Sequence, residues 1–372
     1  MNSRERFLTA LKRETPDRVP IWELIIDEPV LSTLLHKEPS KTVGEKLKRY
    51  CELVEFLDID GVTWGEDQVM KKVGDTLVDE WGIAWKPNVS GILYPVKGPI
   101  KSPDDLKNYS LPDPDAPHRL ESLGELIDRF KGERAIVFLG HEVFEFSHYL
   151  LGGMDKLFKT YYFNPELAIQ LAEEISEYKL RVMERAIKLG ADAVVCGDDY
   201  ANERGSLIAP RLFDKFVLPY IKKTADLIHR MGKPYIKHTD GNLYQILERL
   251  INAGIDALHP IEPAAGMDIA KLKKLYGNKI CLIGNVDCGK LLSEGTPEEV
   301  IEVVKETIAK AAPGGGYIIS SSNSIHPGVK PENFLAMVNA AKKYGSYPIS
   351  EDLINEYSKK NFYSKLYPKF FS

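Results

Sequence analysis

Two motifs that combine acidic residues with histidine or with each other could carry out chemistry in this sequence. His238-Thr239-Asp240 follows a short apolar segment, and alternate residues of an extended strand point to the same side. Its imidazole and carboxylate are therefore predicted to lie side by side, where they could bind a metal such as zinc. Equally, they could form a hydrogen-bonded pair in which Asp240 caps a helix that begins near Asn242.

Asp198-Asp199 places two carboxylates in adjacent positions, so only one of them can face a given site. That carboxylate could donate a proton, hold a substrate or bind a metal, whereas Asp199 could instead pair with Arg204. Tyr149, on a predicted helix, could donate a hydrogen bond to a substrate or simply pack. Further polar candidates follow the other apolar segments: Glu66, Asp67, His141, Glu142, Glu203, His259, Glu262, Asn285, Asp287, Asn323 and His326.

Eight short apolar or β-branched segments must position these groups. Most are followed by helical periodicity, and alternating strands and helices predict a parallel sheet. Eight is the number that a closed (β/α)8 TIM barrel needs, and such barrels hold their active sites at the carboxyl ends of the strands. The predicted strands are Val19–Ile26, Gly61–Gly65, Ala135–His141, Ala193–Asp198, Tyr235–Thr239, Ala257–Ile261, Ile280–Asn285 and Tyr317–Ser321.

Capping residues, proline and glycine mark the predicted helices. A short amphipathic helix opens the chain before residue 14. A long helix is predicted from Asn164-Pro165 to Gly190, and a second runs from Pro210 to Met231. Two more begin at Thr296-Pro297 and Lys330-Pro331, where a proline occupies the first helical position.

One region departs from the alternation of strands and helices. Between residues 67 and 111, short segments punctuated by glycine and proline predict β-hairpins inserted after the second strand. Residues 1–345 are predicted to form the barrel, and residues 346–372 a helical, aromatic tail that packs on the barrel or makes a contact in a homodimer. The punctuating residues are Gly74, Gly82, Pro87, Gly91 and Gly98.

Composition excludes several classes of protein. The 372 residues are 44% hydrophobic and 28% charged, which is typical of a globular chain, and the net charge of −5 does not suit a nucleic-acid binder. No segment predicts a membrane span or a signal peptide, so a cytoplasmic protein is expected. Motifs of zinc proteases, serine hydrolases, P-loop proteins and Rossmann proteins are absent.

Several motifs, spread from Ser3 to Tyr344, resemble the uroporphyrinogen decarboxylase superfamily. The resemblance predicts a TIM barrel and an activity of one of two branches, decarboxylases that use no metal or corrinoid-linked methyltransferases that use zinc. The matching motifs are Ser3-Arg4-Glu5-Arg6-Phe7, Thr15-Pro16-Asp17-Arg18-Val19-Pro20, Asp198-Asp199 with Pro210 and Phe213, His238-x-x-Gly241, Ile283-Gly284-Asn285-Val286-Asp287, Pro313-Gly314-Gly315-Gly316-Tyr317 and Pro331-Glu332-Asn333.

The decarboxylase branch carries an arginine-rich segment near its N-terminus. The corresponding stretch here, residues 19–29, has no arginine but contains Glu23, Asp27 and Glu28, which would repel a polycarboxylate tetrapyrrole. In this resemblance Glu66 or Asp67 falls near the catalytic aspartate of that branch. Tyr149 falls near its tyrosine, and Asn323 or Ser324 takes the place of its histidine.

The methyltransferase branch binds zinc through a His-x-Cys pair and a later cysteine. Here Asp240 and Asn323 stand where those cysteines would fall, and none of the four cysteines does. Harder oxygen ligands suit a metal that acts as a Lewis acid on oxygen better than one that activates a thiol. The resemblance therefore favours cleavage of a methyl ether over activation of a thiol such as coenzyme M.

The leading hypothesis is a zinc-assisted O-demethylase that passes the methyl group of a methoxylated small molecule to the Co(I) corrinoid of a cobalamin-binding partner protein. His238, Asp240 and Glu142 are the predicted metal ligands, with Asp198 or Asn323 as further candidates. A metal-free decarboxylase of a tetrapyrrole is the alternative, and a non-catalytic corrinoid- or tetrapyrrole-binding protein is the third. The predicted catalytic residues are Asp198, Asp199, Tyr149, Asp67 and His326, and the predicted substrate-binding residues are Glu66, Glu203, Arg204 and Asn323.

Overall fold

A computed structural model describes residues 1–88 and 93–371 and shows a curled parallel sheet at the centre of the molecule. Its seven strands are hydrogen-bonded in the order in which they occur in the chain. Each of them is largely buried, as expected for a parallel sheet covered on both faces. The strands are Gly61–Gly65, Ala135–Gly140, Ala193–Cys196, Tyr235–His238, Ala257–His259, Cys281–Ile283 and Tyr317–Ile318.

The predicted first strand, Val19–Ile26, is not a regular strand. It forms only isolated parallel bridges, from Ile21 to Ile319 and from Ile26 to Ile325. On its other side, the Asp60 amide donates to the Ile21 carbonyl at 2.8 Å. Pro20, which has no backbone N–H, and the buried acid Glu23 interrupt the run of ladder hydrogen bonds. The segment nevertheless lies between the first and last strands of the sheet and is hydrogen-bonded to both.

Helices cover the outside of the sheet, and most of them begin at the capping or proline signals in the sequence. The described α-helices are Ser3–Leu11, Glu28–Leu34, Val43–Leu57, Pro103–Asn108, Glu121–Phe130, Val143–Leu151, Met154–Phe163, Pro165–Leu189, Pro210–Phe216, Leu218–Arg230, Leu247–Asn252, Ile269–Tyr276, Leu291–Glu294, Pro297–Ala311, Pro331–Tyr344, Glu351–Tyr357, Tyr363–Leu366 and Pro368–Phe371, and the 3-10 helices are Pro117–Leu120 and Pro263–Ala265. No helix of these described segments is long and apolar enough to cross a membrane.

Two helix predictions were wrong in detail. The single helix predicted from Pro210 to Met231 is broken at Val217, whose φ of −123° is not helical. Pro219 lies just beyond the break, and a proline disfavours the helical conformation of the residue before it and removes a backbone donor. The helix expected near Asn242 begins instead at Leu247 and ends at Asn252.

The insertion after Gly61–Gly65 contains a four-stranded antiparallel sheet. Its strands are Lys71–Val73, Thr76–Val78, Ala84–Pro87 and Leu93–Lys97. Gly74 and Gly82 have positive φ angles of 61° and 72° at its turns, where glycine meets no steric penalty. Gly91, one of the residues that predicted these hairpins, lies outside the described residues.

The C-terminal tail contacts the rest of the chain next to the strand Cys281–Ile283. The Tyr363 hydroxyl donates to the Asn285 carbonyl at 2.7 Å and accepts from the Asp287 amide at 3.0 Å. Tyr367 donates to the Asp287 carboxylate at 2.7 Å. These aromatic residues of the tail therefore hold the loop that follows this strand.

Candidate metal centre

Asp199, His238 and Asp240 converge at the carboxyl end of the sheet. His238 ends the strand Tyr235–His238, and its Nε2 lies 4.0 Å from Asp199 Oδ1 and 3.9 Å from Asp240 Oδ1. The Asp240 amide donates to Asp199 Oδ1 at 2.8 Å, which joins the two loops. One ligand atom from each of the three side chains lies within 4.8 Å of the others, so the group could hold a metal ion. The side chains of His238 and Asp240 thus lie side by side as predicted, with Asp199 as a third member of the group, and their role as metal ligands stays a prediction.

The carboxylate of Asp240 has an oxygen whose hydrogen-bonding capacity is not satisfied. Its Oδ2 accepts a hydrogen bond from Asn323 Nδ2, but its Oδ1 is buried and has no hydrogen-bond partner in the described residues. A buried carboxylate oxygen without a partner costs free energy that a bound cation would recover. Asn323, predicted to bind substrate, instead holds this carboxylate in place.

Burial and mutual repulsion act on the carboxyl groups of this centre. Burial first and the charge of Glu145 second raise the pKa of Asp199 to about 6. Burial, Asp199 and Glu262 raise the pKa of Asp240 well above its ordinary value. Burial, reinforced by the charge of Lys237, lowers the pKa of His238 to about 3. A neutral imidazole is the form that binds a metal, and a bound cation would relieve the repulsion between the carboxylates.

The other ring nitrogen of His238 is also engaged. His238 Nδ1 lies 2.7 Å from Nδ1 of His259, the residue paired with it on the neighbouring strand. His259 is fully buried, with its ring against Trp22 at a centroid distance of 5.2 Å. The sequence indicated only that His259 is a polar candidate in the predicted strand Ala257–Ile261, whereas the structure places it in contact with His238.

A second cluster, which the sequence reasoning did not assign, consists of His141, Glu145 and Asp198. His141 Nδ1 lies 3.2 Å from Glu145 Oε2 and 4.0 Å from Asp198 Oδ1. Burial opposes ionisation of Glu145, but the neighbouring His141 lowers the pKa of this carboxyl group to about 2. The spacing of His141 and Glu145, four residues apart across a helix start, was the available signal.

Asp198 belongs to this second cluster and also caps a helix. Its two carboxylate oxygens accept the amides of Glu142 at 3.3 Å and Phe144 at 2.8 Å, at the start of the helix Val143–Leu151. Its φ of 104° is rare for a residue with a side chain and turns the carboxylate toward these amides. Of the two adjacent carboxylates, Asp199 therefore faces the metal centre and Asp198 faces the helix.

Glu142, predicted as a metal ligand, is fully occupied elsewhere. It accepts hydrogen bonds from Tyr200 at 2.7 Å, Tyr235 at 2.6 Å and Lys237 at 2.7 Å, all of them buried. These donors leave no free oxygen turned toward His238. The prediction missed this because the tyrosines and the lysine come from other segments of the chain.

Glu66 and Asp67 also make structural contacts. Glu66 is bound by Arg119 at 3.0 Å, by Lys179 at 3.3 Å and by the Tyr178 hydroxyl. It lines a cavity of about 150 Å³ that also touches His141. Asp67 accepts the Ser122 amide at 2.8 Å and so caps the helix Glu121–Phe130. Neither carboxylate belongs to the metal-binding clusters.

The remaining predicted residues lie around or away from the centre. The Tyr149 ring packs edge-on against Trp85 at 5.3 Å, and burial raises the pKa of its hydroxyl, with Glu145 as the next contribution. His326 is held by the Cys288 carbonyl at 3.1 Å. Glu203 is exposed and pairs with Lys369 of the tail at 2.9 Å.

The suggested pairing of Asp199 with Arg204 is not formed. Arg204 is exposed, and its amide donates to Asn202 at 2.8 Å. Asp199 instead accepts the amide of Asp240, as described above. Asp199 is therefore available to the centre.

A curled parallel sheet with a histidine and carboxylate cluster at its carboxyl end defines an α/β enzyme of the barrel type. The chain belongs to the uroporphyrinogen decarboxylase (URO-D) family, whose profile matches residues 90–344. It is similar to the uroporphyrinogen decarboxylases of Geobacter metallireducens, at 25% identity over 91% of this chain and 98% of that protein, and of Aeromonas salmonicida, at 27% identity over 90% and 95%.

The fold is also that of a solved structure described as a methyltransferase from Methanosarcina mazei. The TM-score is 0.76 at 20% identity, and the match covers 92% of this chain and 99% of that one. The predicted membership of the superfamily and the predicted barrel-like α/β fold are thus confirmed, and the chain is an enzyme of this superfamily by its relatives.

Proposed function

We propose that this protein is a metal-assisted methyltransferase that removes the methyl group of a methoxylated small molecule and delivers it to the Co(I) corrinoid of a partner protein. The observation that carries the proposal is the cluster of Asp199, His238 and Asp240, with its unsatisfied buried oxygen. The similarity in fold to a methyltransferase supports the same branch of the family.

The donor set fits zinc. One imidazole nitrogen and two carboxylate oxygens make three protein ligands, which leaves a fourth position open for a substrate, as in catalytic zinc sites. A zinc ion bound there would act as a Lewis acid that stabilises negative charge on a departing oxygen. All four cysteines are buried elsewhere and free, so none of them supplies the thiolate ligands of the thiol-activating relatives.

The residues of the chain have distinct tasks in this proposal. His238, Asp199 and Asp240 bind the cation, and Asn323 orients Asp240. In the net reaction the methyl–oxygen bond breaks, and its electron pair stays on the oxygen. The methyl group passes to Co(I), which supplies both electrons of the new bond. Tyr149 is a candidate proton donor to the released oxygen, since burial keeps its hydroxyl protonated.

A decarboxylase acting on a tetrapyrrole is the second candidate, favoured by the names of the relatives. The charges of the centre argue against a polyanionic substrate, but not through Glu23 and Glu28, two of the three acids that the sequence suggested. Glu23 is buried and Glu28 pairs with Arg49 at 3.1 Å. The repulsion would come instead from Asp199, Asp240 and Glu262.

Zinc content and methyl transfer test the proposal. Protein purified without chelator should contain about one equivalent of zinc. It should convert cob(I)alamin to methylcobalamin in the presence of 2-methoxyphenol, and His238→Ala should lose both properties. His229→Ala is the matched control, because His229 is a half-exposed residue that pairs with Asp256 at the other end of the sheet.

Three outcomes separate the candidate functions. Zinc below about a tenth of an equivalent, with His238→Ala folded and equally active, contradicts the proposal. Stepwise loss of carboxyl groups from uroporphyrinogen without added metal would establish the decarboxylase. Tight binding of cob(I)alamin or uroporphyrinogen without turnover of either would establish the third candidate, a non-catalytic binding protein.

A further inference from the structure

A line of hydrogen bonds leads from His238 away from the metal centre to a buried carboxyl group. His238 Nδ1 lies 2.7 Å from His259 Nδ1, and His259 Nε2 lies 3.2 Å from Ser320 Oγ. Ser320 Oγ in turn lies 3.3 Å from Glu23 Oε2. The four side chains come from four separate segments of the chain, which the closure of the sheet brings together.

The line of hydrogen bonds is buried, and it ends on an acid that has no basic partner among the described residues. His259 and Ser320 are fully buried and Glu23 is 1% exposed. In the described part of the chain no lysine or arginine forms an ion pair with Glu23, whereas the fully buried Asp60 pairs with Arg6 and Arg18. Glu23 is held instead by the amide of Ser321 at 2.8 Å and its hydroxyl at 2.6 Å. An acid buried without a cation is costly, and such groups are concentrated at functional sites.

The direction of each hydrogen bond follows from the state of Glu23. An ionised carboxylate only accepts, so the Ser320 hydroxyl donates to it and accepts from His259 Nε2–H. A neutral His259 then has a bare Nδ1, which accepts from His238 Nδ1–H. His238 Nε2 is left bare, and this is the nitrogen that faces Asp199 and Asp240.

The reverse order arises when the group at position 23 donates. The Ser320 hydroxyl then donates to His259 Nε2, and His259 Nδ1–H donates to His238 Nδ1. His238 now carries its proton on Nε2 and can only donate to the carboxylates of the centre. The same four side chains thus support two arrangements, one of which leaves a metal-binding nitrogen and one of which does not.

We propose that Glu23, Ser320 and His259 form a positioning relay that sets which ring nitrogen of His238 carries the proton, and thereby whether His238 can bind a metal. The metal-binding part of this inference rests on the proposed function, whereas the tautomer of His238 does not. Residues that orient a metal ligand through hydrogen bonds typically change metal affinity about 10- to 100-fold.

Glu23→Gln is the sharpest test, because it keeps the shape of the side chain. The amide of Ser321 must donate to an oxygen, so it fixes the Gln carbonyl on its side. The Gln NH2 group then takes the place of Oε2, where its two hydrogens can donate to the hydroxyls of Ser321 and Ser320, and a Ser320 hydroxyl that accepts from it adopts the reverse order. Ser320→Ala interrupts the relay without adding a donor. Glu306→Gln is the matched control, since Glu306 is also buried but pairs with Lys310 on an outer helix.

The tautomer of His238 is read from the 15N chemical shifts of metal-free protein labelled at histidine, with His238→Ala to assign the signal. Burial raises the pKa of Glu23 to about 8, so the spectra are taken near pH 9, where the carboxylate is charged. We expect a bare Nε2 in the unmodified protein and in Glu306→Gln. A proton on Nε2 is expected in Glu23→Gln, and a mixture of the two tautomers in Ser320→Ala.

Zinc affinity, measured near pH 9 as well by competition with a chromophoric chelator, is the second readout. We expect Glu23→Gln to raise the dissociation constant at least about tenfold, with Glu306→Gln unchanged. An unchanged tautomer in both Glu23→Gln and Ser320→Ala overturns the relay. If the tautomer changes but no variant, nor the unmodified protein, binds zinc, the relay stands and the proposed function fails.

Discussion

The acids that precede the strands at the amino end of the parallel sheet are held differently from the acids of the candidate metal centre at the carboxyl end. At the amino end, Asp60, Asp192 and Asp256 each immediately precede a strand and accept the amide of a residue in the neighbouring segment, at 2.8, 3.1 and 2.8 Å. Each also has a basic partner. Asp60, which is fully buried, is bound by Arg6 at 2.6 Å and by Arg18 at 2.8 Å.

At the carboxyl end, Glu66 and Glu142 have basic partners, but in the part of the chain that the structure describes, the acids of the candidate metal centre and its neighbour Glu262 do not. Among the described residues, Asp199, Asp240 and Glu262 form no ion pair with lysine or arginine. Asp199 and Asp240 instead face each other and His238, and Glu262 accepts the Gly241 amide at 2.8 Å. Burial and mutual repulsion raise the pKa of the Asp240 carboxyl group.

This difference suggests that the paired acids at the amino end serve stability, whereas the unpaired acids of the candidate metal centre serve function. A buried carboxylate that binds two arginines and an amide has its charge neutralised and its oxygens hydrogen-bonded within the chain, so it fixes the strands in place. A buried carboxylate without a basic partner can be neutralised by a cation from outside the chain. In barrel enzymes generally, the carboxyl ends of the strands carry the active site and the amino ends carry contacts that stabilise the fold.

The largest expected effect is loss of metal binding at the carboxyl end. Asp240→Asn keeps the volume of the side chain and the contact with Asn323 but removes one anionic ligand. We expect the zinc dissociation constant to rise at least about 100-fold, which competition with a chelator measures. Asp256→Asn changes the same group at the amino end and should leave the zinc affinity unaltered. Equal affinities in both variants would contradict a metal centre at Asp240.

The next effect falls on stability at the amino end. Asp60→Asn leaves two arginines beside a buried neutral amide, and breaking a buried ion pair costs about 3 to 5 kcal/mol. Urea denaturation should show this loss in the free energy of unfolding. Asp75→Asn removes an 81% exposed carboxylate that pairs with Lys86, and it should change stability little. A similarly small loss for Asp60→Asn would mean that the arginines do not fix this end of the sheet.

The sequence predicts most strand positions and the pairing of His238 with Asp240, two of the three residues of the candidate metal centre, because both depend on local patterns. Seven of the eight predicted strands are present, and the i, i+2 spacing of His238 and Asp240 brings their side chains together as expected. The eighth, Val19–Ile26, is apolar enough to be buried, but its regular pairing is prevented by proline and by Glu23. A hydrophobic pattern predicts burial there and does not reveal the interruption.

The partners of the candidate residues could not be predicted in the same way. Glu142 and Asp67 follow strands closely, as Asp199 does, yet Glu142 is bound by two tyrosines and a lysine, and Asp67 caps a helix. Those donors lie between 55 and 95 residues away in the chain. Which acid is satisfied and which is left for a ligand therefore depends on the closure of the sheet, and no local spacing encodes it.

A smaller effect should appear at the carboxyl end when metal is removed. In excess chelator, Asp240→Asn replaces a carboxylate that is repelled by Asp199 and Glu262. We expect the free energy of unfolding to rise by about 1 kcal/mol, as is common when a destabilising functional group is neutralised. Urea denaturation with chelator measures it. A loss as large as that of Asp60→Asn would show that Asp240 is a structural residue and would remove the contrast between the two ends.

The smallest expected effect is a difference in how the stabilities of variants at the two ends depend on pH. The pKa of Asp199 is raised from an ordinary value of 3.8 to about 6, so its charge opposes folding above pH 6 and this penalty disappears as the pH falls toward 4. Arg6 holds the pKa of Asp17 at the amino end below its ordinary value, against a smaller opposing effect of burial. The contribution of Asp17 to the free energy of unfolding is therefore present at neutral pH and lost below about pH 4.

In chelator, the stability gained by Asp199→Asn should therefore shrink on acidification from pH 7. The stability lost in Asp17→Asn should stay constant until the pH falls below about 4, and only then decrease. Parallel pH profiles for the two variants would mean that both ends hold their acids in the same way.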